Sequence, residues 1–172
     1  MDEIQLILIK EDEEDDCILC QEQYQCIFKM SFLLGISSIY AFYNNYIDIA
    51  IINGIVFLTS INYWRKPDYS WRRYLDMYCA SLGIFYLMLR AYESEYSNLY
   101  YILITIGISC YITGIYFHNI NTNWISTYLH CLLHIFANIG CFVLYSGHIV
   151  PISKNPIFSF FLPVNLISIK EL

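Results

Sequence analysis

The chain has 172 residues, of which 58% are hydrophobic, 18% aromatic and only 14% charged, with 17 Tyr. That composition excludes an ordinary soluble domain and points to a lipid-embedded one whose ends lie in aromatic belts. The net charge of -6 implies no nucleic-acid partner, because nine of the fifteen carboxylates fall within the first 22 residues and the remainder is weakly basic.

Residues 1–23 read as an acidic cytosolic tail, disordered because it has too little apolar surface to bury. It holds Cys17 and Cys20 in a CxxC, but no second pair or nearby His completes a zinc set. Cys26, close to the membrane edge, is a candidate for lipidation. Cys79, Cys110, Cys131 and Cys141 lie inside apolar runs, so a secreted disulfide framework is not expected.

Residues 24–150 divide into five apolar stretches, each close to the ~20 residues that cross a ~30 Å hydrocarbon core. The first, 26–43, aligns Ser31, Gly35 and Ser38 on a small-residue face suited to close helix contact. Asn44 and Asn45 make the turn. The second, 46–63, carries Asp48 near one end and places Asn53 and Ser60 on one face.

A cationic turn follows, with four of the nine Lys and Arg between Trp64 and Arg73. The third stretch, 74–90, lines up Asp76, Ala80 and Gly83, and a polar connection with Glu93 and Glu95 leads to the fourth, 99–117. Gly107, Cys110 and Gly114 form a stripe there that runs into His118. The fifth, 124–145, repeats Ser126, His130, His134 and Asn138 every four residues. Facing lipid, such a row would cost about 2 kcal/mol or more per unsatisfied group, so it faces protein or a cavity. Residues 151–172 are an apolar tail in which 155–169 reads either as a sixth span or as an interfacial segment.

With five spans, Lys10, Lys29, Arg65, Lys66, Arg72 and Arg73 share one side, against Arg90, Lys154 and Lys170 on the other. The positive-inside rule therefore puts the amino terminus and residues 64–73 in the cytosol. Alternation also brings Ser60, Asp76, His118, His130 and His134 toward that same leaflet, and ionisable groups inside a bundle are functional candidates.

One chemistry for that group is a metal site. His130 and His134 at i, i+4 can reach one Zn2+, with His118 as third ligand and water as fourth. Zinc lowers the pKa of its water to about 7, after which Asp76 would orient or deprotonate the water and Ser60 would donate to an oxyanion. The plainer reading has both His bridging to carbonyls, Tyr hydroxyls or Asn138, and Asp76 as a helix-start residue paired to Arg72 or Arg73.

Ser60, Asp76 and His130-x-x-x-His134 together resemble the superfamily of alkaline ceramidases and progestin and adipoQ receptors. That resemblance implies a seven-helix bundle with zinc held by a His four residues after the Ser and by both His of the HxxxH, with the Ser and Asp assisting cleavage of a lipid amide. In this chain the fourth residue after Ser60 is Trp64, and two spans fewer are expected. The WR and WRR elements of the cationic turn also look like those of small multi-span proteins of large DNA viruses and protists.

The expected fold is thus all-α, a polytopic transmembrane bundle of five spans with a sixth left open, in contact with the lipid bilayer. The leading function is a non-enzymatic scaffold or interaction protein. The alternative is a zinc-dependent lipid amide hydrolase of degenerate form, with a lipid as its substrate. A channel or transporter subunit ranks third, because spans one and four offer few polar groups to line a path.

Overall fold

The computed structural model describes residues 17–156. Within them the chain forms five α-helices: α1 (Gln21–Tyr43), α2 (Ile47–Trp64), α3 (Trp71–Ala91), α4 (Ser97–Asn119) and α5 (Asn123–Ser146), followed by a 3-10 turn at Ile152–Lys154. No strand occurs among the described residues. The acidic stretch 1–16 and most of the suggested sixth span at 155–169 lie outside them.

The helices coincide with the apolar stretches to within three residues at every boundary but one. Helix α1 begins at Gln21 rather than near Cys26. The Gln23 side chain accepts a hydrogen bond from the Cys20 backbone N–H at 3.3 Å and so satisfies a donor at the helix start. The Ile18 backbone N–H also donates to the Pro67 carbonyl at 3.1 Å, which ties the segment ahead of α1 to the cationic turn. Residues 17–23 therefore belong to the folded body rather than to the tail.

Three of the turns each use one residue in the left-handed region, Asn45, Glu93 and Asn121, with φ near 60°. Asn tolerates that conformation.

Helices α1, α2, α4 and α5 are long and apolar enough to cross a bilayer. Their outward faces stay apolar, with Ile39 72% and Ile112 62% exposed. Contiguous surfaces of that kind suit lipid and not water. The described part of the chain is therefore all-helical and fits a multi-pass integral membrane protein. Helix α3 falls outside the group of four because it carries Arg72, Arg73, Asp76 and Arg90 within 21 residues.

Helix α1 lies between α2 and α5, α4 packs chiefly on α5, and α3 packs on α2 with little contact to α4. Small residues set these approaches. Ser38 Oγ donates to the Ala50 carbonyl at 2.7 Å across α1 and α2. A Cβ at Gly83 would fall 2.9 Å from Val56 Cγ2, so only glycine allows α3 this close to α2.

Two further contacts bracket Gly83. Near the cationic turn Ser60 meets Asp76, and at the far end Asp48 meets Arg90. These pins lie about 18 Å apart along α2 and about 21 Å along α3 at 1.5 Å per residue, so α3 runs antiparallel beside most of α2.

Candidate functional site

Ser60 occupies the last turns of α2, and Asp76 the second turn of α3. Both are buried. The Ser60 hydroxyl donates to Asp76 Oδ1 at 2.6 Å, and the Thr59 hydroxyl reaches the same oxygen at 3.4 Å. The structure thus joins two residues sixteen positions apart, as alternation of the helices requires.

Asp76 does not pair with Arg72 or Arg73. Arg72 organises the turn instead: its guanidinium bonds Asp68 Oδ2 at 2.6 Å, the Lys66 carbonyl at 2.9 Å and the Asn62 carbonyl at 3.2 Å. Arg73 lies over the Tyr69 ring, 5.1 Å from its centroid. Helix geometry explains the separation, because Arg72 and Arg73 point back toward residues 62–69 while Asp76 turns to α2. Outside the membrane-spanning part, the Ser70 hydroxyl and then Arg72 hold the Asp68 carboxyl below its usual value of 3.8, against a partial desolvation.

On α5, His130 and His134 do share a face, with ring centroids 5.2 Å apart. Their surroundings are aromatic. Trp64 packs edge-on against His130 at 4.8 Å, Tyr111 of α4 does so at 5.5 Å, and Tyr63 abuts Trp64 at 4.9 Å. Asn138 Nδ2 donates to the backbone carbonyl of His134 at 2.7 Å. Among the described residues, His134 Nε2, Asn138 Oδ1 and Tyr100 OH are buried without a partner.

His118 does not join this pair. Its Nδ1 is 3.1 Å from Asn123 Oδ1, at the first turn of α5. His130 lies seven residues further along that helix, about 10 Å up its axis. Alternation brings His118 to the right end of the bundle but two turns short of the pair.

A catalytic zinc site needs three protein ligands. Among the described residues no three His, Cys, Asp or Glu side chains gather to hold a metal ion. The free Nε2 of His134 offers one ligand atom, the indole of Trp64 flanks His130, and the third imidazole is spent elsewhere. The residues present do not fit the zinc centre that the resemblance implies.

The chain matches no protein-family model, no curated protein and no solved structure. The likeness to the ceramidase and receptor superfamily therefore rests on Ser60, Asp76, His130 and His134 alone.

A second polar cluster at the opposite end was not legible as a unit. Asp48 Oδ2 accepts from Arg90 Nε at 2.7 Å and from the Tyr86 hydroxyl at 2.6 Å, while Arg90 Nη1 donates to the Val150 carbonyl at 2.6 Å. Tyr46 OH donates to the Gly147 carbonyl at 2.8 Å, and Asn155 Nδ2 to the Leu89 carbonyl at 3.2 Å. The segment after α5 is thus folded back onto α2 and α3. The available signal was that Asp48 and Arg90 fall at the same end once the helices alternate.

Proposed function

We propose that all five helices cross the bilayer, with the amino terminus and residues 64–73 in the cytosol, and that the protein is a scaffold or interaction protein rather than a hydrolase. The low hydropathy of α3 does not oppose this, since Asp76 and Arg90 face α2 and are satisfied there instead of meeting lipid. The six-to-three division of Lys and Arg supports the orientation.

The observation that carries the non-enzymatic reading is the contact of Trp64 with His130. The residue at the position of the superfamily's first zinc ligand is a tryptophan, and its ring fills space beside an imidazole. The polar groups then act as interhelical locks: Ser60 to Asp76 joins α2 to α3, and Asn53 Nδ2 to Tyr145 OH at 2.7 Å joins α2 to α5. The alternative, a lipid amide hydrolase, has in its favour a joined Ser60–Asp76 pair and two adjacent imidazoles on α5, and it lacks a third ligand among the described residues.

Metal analysis of detergent-purified protein equilibrated with zinc separates the two. The scaffold reading expects far less than one zinc per chain, and His130→Ala or His134→Ala shifting the unfolding temperature with metal content unchanged. One zinc per chain, lost on either substitution and accompanied by lipid amide turnover, would establish the hydrolase instead.

A further inference from the structure

Helices α1 and α2 leave two shallow, open grooves on their outward side, one near each end, each of about 280 Å³. They differ in charge. The groove at the far end is lined by Ser38, Ile39, Phe42, Ala50 and Ile51 and has no ionisable wall. The groove at the cationic end is lined by Phe28, Leu58, Ile61, Asn62 and Arg65. Leu58, Ile61 and Asn62 on α2 and Arg65 just past its end follow at i, i+3, i+4 and i+7, one stripe that passes from aliphatic to amide to guanidinium.

We propose that this second groove binds one anionic glycerophospholipid from the surrounding leaflet, with an acyl chain along Phe28, Leu58 and Ile61 and the phosphate at Asn62 and Arg65. Charge complementarity carries the assignment. Arg65 is exposed and has no carboxylate at ion-pair distance among the described residues, whereas Arg72 and Arg90 are each spent on an aspartate. Lys29, exposed and next to Phe28 in the chain, does not line the groove but adds a second cation at the same end of α1.

Guanidinium matches the geometry of phosphate oxygens, and the Asn62 amide supplies a further donor. Two cations disfavour the choline of a zwitterionic headgroup and favour a net negative one. Because both grooves have the same volume and the same pair of helices, the uncharged one is a built-in control for shape alone.

The inference rests on the membrane reading but not on which face is cytosolic. The full chain, reconstituted in phosphatidylcholine nanodiscs containing a minor fraction of phosphatidylserine, is assayed for lipid retained per chain after mild extraction. Phosphatidylserine is expected to be enriched roughly five-fold over the disc composition, the factor one basic residue near a membrane surface supplies. Arg65→Gln should return the ratio to that of the disc, and Ile61→Trp, which fills the groove without touching charge, should do the same. Ile51→Trp in the uncharged groove should leave the enrichment intact.

Wild-type retention that mirrors the disc composition overturns the site, as does enrichment unchanged in both Arg65→Gln and Ile61→Trp, or enrichment abolished by inorganic phosphate added during extraction, which would assign the site to free phosphate. Failure of the protein to enter discs at all would instead remove the membrane reading beneath it.

Discussion

Arg90 of α3 pairs with Asp48 of α2 at 2.7 Å while its own side chain is only 4% exposed. The same guanidinium holds the Val150 carbonyl, so one side chain joins two helices and the segment that follows the fifth. Removing one partner of a buried pair leaves the other charge stranded, which costs about 3 to 5 kcal/mol. Because Asp48 remains 27% exposed, the lower end applies. Arg90→Met should destabilise the detergent-solubilised protein by about 3 kcal/mol. Adding Asp48→Leu should restore much of the loss, and a thermal double-mutant cycle checks both.

The Ser60–Asp76 lock makes a different demand. Ser60→Ala leaves the buried Asp76 carboxyl with only the 3.4 Å contact from Thr59, and stranding a buried polar group costs about 1 to 3 kcal/mol. Asp76→Asn retains an oxygen acceptor for both hydroxyls and should cost less than Ser60→Ala. Unfolding in detergent monitored by Trp fluorescence measures the order. Unchanged stability in both variants would mean that the pair is not a structural lock.

How much of this was legible follows from what each feature depends on. Helix limits depend on local composition, and polar turns at Asn44–Asn45, 65–70, 92–96 and 120–122 bound the apolar runs, so the expected stretches fall within a few residues of the helices. The meeting of Ser60 with Asp76 and of His130 with His134 was equally accessible, the first from antiparallel alternation and the second from helical period. Ligand sets were not. Whether His118 reaches His130 depends on height along α5, and an end-of-bundle assignment carries no height. The role of Arg90 was hidden because its partners, Asp48 and Val150, are 42 and 60 positions away.

The cationic turn should respond to acid. The Asp68 carboxyl is held below its usual 3.8 by Ser70 and Arg72, so its contribution to stability is complete above that value and is lost as the pH falls through the depressed one. The effect is small because the carboxylate is near solvent. Wild type and Asp68→Asn should differ in unfolding temperature at pH 6, and the difference should shrink progressively as the pH falls below 3.8. A difference that does not shrink with acidification would place its origin elsewhere.

The central claim is that α3 crosses the membrane beside α2. Single cysteines in a cysteine-free background at Tyr69, before α3, and at Glu93, after it, test this with a membrane-impermeant thiol reagent on oriented vesicles. Both positions are exposed. The account predicts that the two label from opposite faces, with position 69 sharing its face with the turn at 120–122. Labelling of 69 and 93 from the same face would contradict it.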